Sequence, residues 1–346
     1  MKIEKIASYV IVIGFVIALL VIGKPFLVPL FLGIVIWYVI VSINEWLRRP
    51  QFVKKLIPNS ISLLLSSILI IGVLFLLGNL VAQNIEMMGT NAPSYRVNIQ
   101  QQLQRILEHL GLEKQYNLTS MAHEFNLSDY TGQLINSITG LAQQFVLILI
   151  YVVFLLFEQH TFPRKIVALN WSPERKTNFK KILKQANSAT KTYLAVKTGA
   201  SILTAVLSFG VLYFIGVDFP VFWAFLIFLL NYIPTIGSIV ATFFPSVVAL
   251  VQFDTLGPFF AVMIIIAGLQ FLIGSFLEPR LLGNSLNISP LVIILSLVLW
   301  GLIWGVVGML LCVPLTVIII IVSAQFPNTR AVAILLSRNG NMGEIE

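Results

Sequence analysis

Side chains that could bind a polar solute occur together with helix-breaking residues between Asn231 and Pro245. This stretch reads Asn-Tyr-Ile-Pro-Thr-Ile-Gly-Ser-Ile-Val-Ala-Thr-Phe-Phe-Pro and lies in an apolar run, 219–251, without a charged side chain. Proline removes a backbone donor, and each unsatisfied backbone group in hydrocarbon costs several kcal/mol. A helix broken at membrane depth is therefore tolerated mainly where protein covers it or where it lines a water-filled cavity. The stretch is either a plain proline kink between two spans or part of a transport site.

The hydrogen-bonding groups of this stretch favour a small, neutral, polyol-like solute. The amide of Asn231 and the hydroxyls of Thr235 and Ser238 can bond to solute hydroxyl groups, and no charge competes with them. The other residues that we predict to shape a path here are Tyr232, Pro234, Gly237 and Pro245.

A second candidate group contains the few charges of the C-terminal half. Between Thr198 and Thr329 the only ionisable acid or base side chains are those of Asp218, Asp254, Glu278 and Arg280. Glu278 and Arg280 flank a proline at the end of an apolar run, and an acid beside an arginine near the membrane marks either a structural ion pair or an ion and substrate path. The spacing alone favours neither. In the second case Glu278 could exchange a proton for a monovalent cation.

The final apolar run, 291–323, is too long for one straight crossing and contains Gly301, Gly305, Gly308 and Pro314. A Gly-x-x-x-Gly spacing lets another helix backbone approach closely, so packing is one explanation of Gly301 and Gly305. The other explanation is a second discontinuous helix facing the first, since a pair of broken segments typically forms a midplane site.

These candidate residues require a scaffold of membrane helices. The composition is 58% hydrophobic and 10% charged with a mean hydropathy of +0.94, which is typical of a polytopic membrane protein. We predict an all-α, polytopic helical membrane protein with about eight transmembrane segments and discontinuous helices in the C-terminal half. The apolar runs of suitable length are 6–23, 26–43, 60–82, 136–157, 198–217, 219–251, 258–277 and 291–323.

The domain organisation follows from these runs and from the charged segments between them. It comprises N-terminal transmembrane helices (1–82), an extracytoplasmic helical insert (83–135), a fourth transmembrane helix (136–158), a basic cytoplasmic amphipathic helix or loop (159–197), a C-terminal transmembrane core with broken helices (198–323) and a cytoplasmic tail (324–346). Arg48, Arg49 and neighbouring lysines follow the second span, so the positive-inside rule predicts a cytoplasmic N-terminus. Ser172 and Pro173 predict a helix start in the basic region, as N-cap and first helical residue.

The net charge of +8 arises from basic segments beside apolar runs, which is typical of cytoplasmic loops and not of a nucleic-acid-binding face. We therefore expect no nucleic-acid partner, and we expect the basic region to contact anionic lipids. The sequence contains no phosphate-binding glycine loop, no paired-histidine or paired-cysteine metal motif and no nucleophile elbow. We expect neither an enzyme nor a cofactor or bound metal.

Several motifs of the C-terminal half occur together in one known family. They are Lys197-Thr198, Asn231-Tyr232-Ile233-Pro234 with Gly237 and Pro245, Glu278-Pro279-Arg280 with Gly283, Trp300-Gly301 with Gly305, Gly308 and Pro314-Leu315, and the tail Ala333-Ile334-Leu335-Leu336-Ser337. In these motifs the chain resembles the autoinducer-2 exporter (AI-2E) family, and the layout of spans matches over nearly the whole chain. The resemblance implies a transporter of the bacterial inner membrane that exports a small polar signalling molecule such as autoinducer-2. It also implies a homo-oligomer, with a pentamer as one candidate.

Three functions remain to be compared. The first is secondary export of a small polar solute. The second is sodium or lithium/proton antiport through Glu278, because some members of the family resemble such antiporters. The third is a non-transporting membrane scaffold whose basic region binds lipid or a cytoplasmic protein. A scaffold has no need of helices broken inside the bilayer, so we expect a transporter.

Overall fold

The computed structural model describes residues 3–110, 127–169, 171–283 and 286–340. All regular secondary structure in these residues is helical, apart from one isolated antiparallel bridge between Ile288 and Ser337. The prediction of an all-α protein is confirmed.

The helices are numbered here in chain order. They are α1 (Ile3–Ile22), α2 (Lys24–Leu47), α3 (Gln51–Leu56), α4 (Asn59–Leu110), α5 (Leu127–Ala168), α6 (Pro173–Ile215), α7 (Pro220–Leu230), α8 (Ile236–Gln252), α9 (Leu256–Leu272), a π-helical turn (Ile273–Leu277), α10 (Glu278–Leu282), α11 (Pro290–Trp304), α12 (Val306–Gln325) and α13 (Arg330–Leu336).

Among the described residues, six helical segments are long and apolar enough to cross a membrane. They are 24–47, 59–84, 144–168, 173–215, 256–282 and 306–325. The helices α7, α8 and α11 are also apolar but shorter. The chain is a multi-pass helical membrane protein, as its composition predicts.

The two long apolar runs of the C-terminal half do not cross as single helices. Run 219–251 divides into α7 and α8, and the stacked rings of Trp223 and Phe244 have centroids 6.4 Å apart. A continuous helix would separate these residues by about 30 Å. Run 291–323 divides into α11 and α12, and Trp300 Nε1 lies 3.3 Å from Thr316 Oγ1. Both runs therefore fold back on themselves as helical hairpins.

The first hairpin is too short to cross the bilayer twice. Helix α7 has 11 residues, which gives a length of about 17 Å against a hydrocarbon core of about 30 Å. Helix α7 is therefore too short to span this core by itself. Where an interrupted helix lies at membrane depth, its irregular backbone requires partners from protein or water.

Several helices continue through the predicted domain boundaries. Helix α4 has 52 residues and passes residue 82 without a break, and α6 has 43 residues and joins the basic region to the following apolar run. The predicted helix start is confirmed, because α6 begins at Pro173 and the N–H of Arg175 donates to Ser172 Oγ at 3.4 Å. Residues 111–126 of the predicted insert and 341–346 of the predicted tail lie outside the described residues.

The chain divides into two compact units. Unit 1 contains residues 1–63, 144–196 and 281–346, and unit 2 contains residues 64–143 and 197–280. The core of unit 2 is a cluster of buried apolar side chains from α6, α7, α8 and α9, including Leu212, Trp223, Ile227, Ala249 and Ile266. This core holds the hairpin α7–α8 within unit 2.

In unit 1, the segment after α12 packs back on the membrane helices. Ile288, Ile320 and Ala333 form a buried apolar cluster, and the N–H of Ser289 donates to the carbonyl of Leu336 at 3.1 Å. The described part of the predicted tail is therefore an ordered element of unit 1.

Candidate functional site

The turn of hairpin α7–α8 follows from the position of Pro234. A helix that continued past Leu230 would use the carbonyl of Leu230 to accept from the N–H of residue 234, which proline lacks. The Leu230 carbonyl instead accepts from the N–H of Ile233 at 2.9 Å, and the N–H of Tyr232 donates to the carbonyl of Leu229 at 3.2 Å. These tighter hydrogen bonds end α7 and leave the residues up to 235 in the turn.

Thr235 holds a backbone conformation that β-branched residues rarely adopt. Its φ is 60° and its ψ is −60°, and across it the N–H of Ile236 donates to the carbonyl of Pro234 at 2.6 Å. This geometry is a γ-turn centred on Thr235, and it costs about 1–3 kcal/mol of backbone strain. Strain of this kind is found mainly at binding sites and moving segments, which makes the turn a candidate for function.

Gly237 allows α8 to begin directly against the end of α7. A Cβ at this position would overlap the carbonyl of Leu230, a main-chain group that cannot move aside. Glycine is therefore required here by the close approach of two backbones.

The hydroxyl groups of α8 already donate to their own helix. Ser238 Oγ donates to the carbonyl of Thr235 at 2.8 Å, and Thr242 and Ser246 donate to the carbonyls four residues before them at 2.9 and 2.8 Å. Ser238 could therefore offer a solute an acceptor but not a donor. Pro245 is buried in α8 between these residues.

A buried ion pair joins α6 to the start of α10. Lys197 Nζ lies 2.7 Å from both carboxylate oxygens of Glu278, and the two side chains are only 11% and 16% exposed. Arg280, which the sequence suggested as the neighbour of this acid, is exposed. Removing one partner of a buried ion pair is strongly destabilising, so the pair fixes the positions of both side chains.

The π-helical turn before Glu278 has a local cause in Pro279. Proline donates no hydrogen bond, and in a regular α-helix its ring would clash with the carbonyl four residues earlier. The wider turn relieves this clash, and the N–H of Glu278 donates to the carbonyl of Ile273, five residues back. Single π-helical turns of this type occur frequently at functional sites.

Thr198 links the ion pair to the hairpin turn. It follows Lys197 on α6, and its Oγ1 lies 2.6 Å from the hydroxyl of Tyr232. Asn231, next to Tyr232, is only 5% exposed. Of the predicted residues, Glu278 thus bonds to Lys197, Tyr232 bonds to the next residue, Thr198, and Asn231 is the buried sequence neighbour of Tyr232. We refer to these five residues as the polar cluster.

A row of buried hydroxyl groups continues from the polar cluster along α6. Ser201, Thr204 and Ser208 follow Lys197 on one helix face, and each is 0% exposed. Thr204 Oγ1 donates to the carbonyl of Ala200 at 2.9 Å, whereas the hydroxyls of Ser201 and Ser208 have no hydrogen-bond partner in the part of the chain that the structure describes. Buried unpaired hydroxyls are uncommon, and a polar solute could bond to them. We refer to these three residues as the hydroxyl row.

Hairpin α11–α12, in unit 1, reverses at Gly305. This residue has φ 67° and ψ −144°, a conformation that favours glycine. A Cβ on Gly308 would overlap the carbonyl of Trp300, and one on Gly301 would lie 2.8 Å from the side chain of Met309. The glycines predicted as packing or path residues therefore close the hairpin itself.

The polar groups beside this second turn are bonded within unit 1. Trp300 Nε1 donates to Thr316 Oγ1 at 3.3 Å, and Thr316 Oγ1 donates to the carbonyl of Cys312 at 2.7 Å. Trp304 Nε1 donates to the carbonyl of Leu20 at 3.0 Å. Pro314 is buried in α12.

The predicted path residues thus divide between the two units. Unit 1 contains Gly301, Gly305 and Pro314, and unit 2 contains the others. Lys197 falls in the predicted basic region, and no pattern in the sequence identified the hydroxyl row. A signal for Lys197 exists, because an acid near the membrane requires a partner and Lys197 directly precedes an apolar run. The described residues bring together no group of three or more His, Cys, Asp or Glu side chains that could hold a metal ion.

Comparison with known proteins identifies one family and several relatives. The AI-2E family transporter model matches residues 9–328. The AI-2 transport protein TqsA of Escherichia coli K12 is 30% identical over 322 residues, which cover 90% of this chain and 88% of that protein. A provisionally named transport protein of Haemophilus influenzae is 30% identical over 341 residues, which cover 96% of this chain and 94% of that protein. A provisionally named transport protein of Borreliella burgdorferi is 37% identical over 206 residues, which cover 58% of this chain and 57% of that protein.

Proposed function

The chain belongs to the AI-2E family of transporters, and we propose that it exports a small polar solute of the autoinducer-2 class by secondary transport. The observation that carries this proposal is the polar cluster, in which Thr198, the residue after Lys197 of the buried ion pair, contacts Tyr232 in the turn of hairpin α7–α8, next to the buried Asn231. Interrupted membrane helices of this kind are where many secondary transporters bind their substrates.

The chemistry of the polar cluster suits a neutral solute with several hydroxyl groups. Lys197 and Glu278 neutralise each other, so the cluster offers hydrogen bonds without a net charge. The amide of Asn231 has two donor hydrogens and one acceptor oxygen, and the hydroxyls of Thr198 and Tyr232 can donate or accept. A solute that loses its hydration shell on entry could replace those hydrogen bonds here.

The hydroxyl row extends the same chemistry along α6. Ser201 and Ser208 present hydroxyls without a partner among the described residues, on the helix face that also carries Lys197. The strained turn at Thr235 supports a role for the hairpin tip as the part that moves during transport. We propose that the solute passes along the hydroxyl row after it leaves the polar cluster.

The test of this proposal is transport by the Asn231→Leu variant. Autoinducer-2 uptake would be measured in everted membrane vesicles, with the amount of inserted protein determined in parallel. Loss of a buried hydrogen-bonding group should slow transport about tenfold or more, since about 1.4 kcal/mol corresponds to one factor of ten. The matched control is Asn44→Leu, which changes another buried asparagine, in α2 of unit 1, and should retain transport.

Either of two outcomes would contradict the proposed site. Normal transport by Asn231→Leu would remove this residue from it. Transport of no solute at all, with a phenotype that depends only on the basic region 159–197, would support the membrane-scaffold alternative.

Sodium or lithium/proton antiport is the competing hypothesis for the same cluster. Both oxygens of Glu278 are bonded to Lys197, which leaves this carboxylate less available to a cation. Proton movement in everted vesicles, followed with a pH-sensitive dye, separates the two hypotheses. Cation-dependent proton movement that disappears in Glu278→Gln would favour antiport over export of a neutral solute.

We further propose a location in the bacterial inner membrane with a cytoplasmic N-terminus, because basic residues concentrate after the second span and in the basic region. The only cysteine of the chain, Cys312, is buried in α12. A Cys312→Ser protein carrying Gln51→Cys should therefore react with a membrane-impermeant thiol reagent from the cytoplasmic side only.

Mass measurement of the purified protein would test the proposed homo-oligomer and a pentamer in particular.

A further inference from the structure

Unit 1 contains a cavity that the transport proposal does not use. It has a volume of about 680 Å³, within the range of about 300–1,000 Å³ that is usual for ligand sites. Its walls come from α2, α5, α6 and α12, and all four of these helices contain segments that could cross a membrane by themselves. Much of the lining is aliphatic or aromatic, including Phe31, Ile34, Leu155, Leu311, Leu315 and Ile318.

Two hydrogen bonds use most of the uncharged polar groups of this lining. Trp37 Nε1 donates to Gln159 Oε1 at 3.2 Å, and the Tyr38 hydroxyl donates to Asn187 Oδ1 at 2.7 Å. A polar solute would have to compete with these bonds. The cavity therefore favours a ligand that is mainly apolar.

The charges of the lining favour an anionic group on that ligand. Glu158 is neutralised by Lys165 at 2.7 Å. Lys184 also lines the cavity, is exposed, and forms no ion pair in the described part of the chain. One cation without an ion-pair partner among the described residues thus stands at a cavity whose lining is mainly apolar.

The sequence around Lys184 is also positively charged. Between residues 162 and 197 there are nine basic side chains and a single acidic one, Glu174. Basic pockets between transmembrane helices, on the side where positive charge accumulates, bind the head groups of anionic lipids.

We propose that the cavity binds one anionic phospholipid, with an acyl chain against α2, α5 and α12 and the phosphate at Lys184. The apolar lining accounts for the acyl chain, and the lysine accounts for the preference for an anionic head group. The proposal does not depend on the transported solute, because the lipid site and the polar cluster lie in different units.

Fluorescence quenching by brominated lipids tests this site directly. The protein is reconstituted in vesicles in which either phosphatidylglycerol or phosphatidylcholine carries bromine on its acyl chains. Trp37 lines the cavity, and comparison with Trp37→Phe isolates its signal from that of the other tryptophans. We expect an affinity for phosphatidylglycerol at Trp37 about fivefold above that for phosphatidylcholine, the preference that one lysine near a membrane surface provides.

Three variants distinguish the effect of the Lys184 charge on lipid binding from the effect of the cavity volume. Lys184→Gln should remove most of the preference for phosphatidylglycerol, whereas Lys181→Gln removes an exposed charge of the same helix outside the lining and should retain it. Ala186→Phe fills the cavity and should reduce the quenching of Trp37 by both lipids.

Equal quenching by both lipids in the unaltered protein would overturn the proposal, because it would indicate ordinary contact with bulk lipid. Equal losses in Lys184→Gln and Lys181→Gln would do the same, because the preference would then belong to the surface as a whole. Absence of quenching at Trp37 by either lipid would show that something else, such as a second copy of the chain, covers the cavity. If Lys184→Gln does not insert, lipid-specific quenching retained in Ala186→Phe would be sufficient to reject the site.

Discussion

The two helical hairpins of the C-terminal half share a backbone plan but differ in chemistry. Each short first helix begins with a proline, Pro220 or Pro290, and each second helix is preceded by a residue with positive φ, Thr235 or Gly305. These landmarks have the same separation in the two hairpins. In both, a glycine early in the second helix approaches a carbonyl of the first helix so closely that a Cβ would overlap it.

The side chains at the two turns are opposite in character. The turn of α7–α8 carries Asn231 and Tyr232, and Tyr232 leads through Thr198 to the buried ion pair. The turn of α11–α12 is a single glycine that follows two tryptophans, Trp300 and Trp304, whose N–H groups are bonded within unit 1. One backbone plan can therefore serve as a binding element or as a closed structural element. The polarity of the turn distinguishes the two, and this supports a solute site at the first hairpin.

Of the variants that test this contrast between the hairpins, those that break the Lys197–Glu278 pair should have the largest effect on stability and export. Lys197→Met leaves a carboxylate that is only 16% exposed without its partner, so we expect about 3–5 kcal/mol lower stability and loss of export. Stability would be measured by denaturant unfolding of the purified protein in detergent, and export in everted vesicles. Lys165→Met, which removes an exposed ion pair of unit 1, is the matched control and should leave stability nearly unchanged.

A double variant separates the structural role of this pair from its role in transport. Lys197→Met with Glu278→Met replaces both charges by apolar side chains of similar size and should restore most of the lost stability. Export should remain absent if the pair belongs to the solute site. Recovery of export together with stability would show that the pair is only structural, and the first hairpin would lose its main distinction from the second.

Alanine at the two close-approach glycines should affect both hairpins alike. Gly237→Ala and Gly308→Ala each place a methyl group against a main-chain carbonyl, so we expect a loss of about 1–3 kcal/mol or more. Gly210→Ala and Gly268→Ala are controls within helices, where no atom outside the local helix backbone lies within 4 Å of the added Cβ. They should be neutral or stabilising by up to about 1 kcal/mol. A Gly308→Ala protein as stable as its controls would mean that the hairpins are not closed in the same way.

The sequence identified the features that depend on local chemistry. Hydropathy predicted the helical membrane class, and proline and glycine predicted that the chain breaks within runs 219–251 and 291–323. Whether each run bends or reverses could not be read from these residues, because a kink and a hairpin turn use the same helix breakers. The reversal depends on contacts such as that between Trp223 and Phe244, which only the folded chain brings together.

The partner of Glu278 was missed for a related reason. Arg280 is its near neighbour in sequence, whereas Lys197 is separated from it by 81 residues. Sequence proximity favoured the arginine, but the π-helical turn and the burial of the acid place its carboxylate against α6. The charge boundary at residue 198 also suggested a change of element. A change of polarity does not interrupt a helix, however, and α6 continues through it.

The smallest expected effect concerns the residues with positive φ at the two turns, and here the hairpins should respond with opposite signs. Thr235→Gly removes strain of about 1–3 kcal/mol from the folded protein. Glycine also increases the conformational entropy of the unfolded chain, which lowers stability by up to about 1 kcal/mol, so unfolding in detergent should show a modest net gain in stability. Gly305→Ala places a Cβ in a backbone conformation that is essentially restricted to glycine and should lower stability by about 1–3 kcal/mol. If the strained turn moves during transport, Thr235→Gly should slow export although the protein is more stable, because relieving strain at a site commonly reduces activity. Unchanged export by a stabilised Thr235→Gly protein would mean that the γ-turn only reverses the chain, as Gly305 does in the other hairpin.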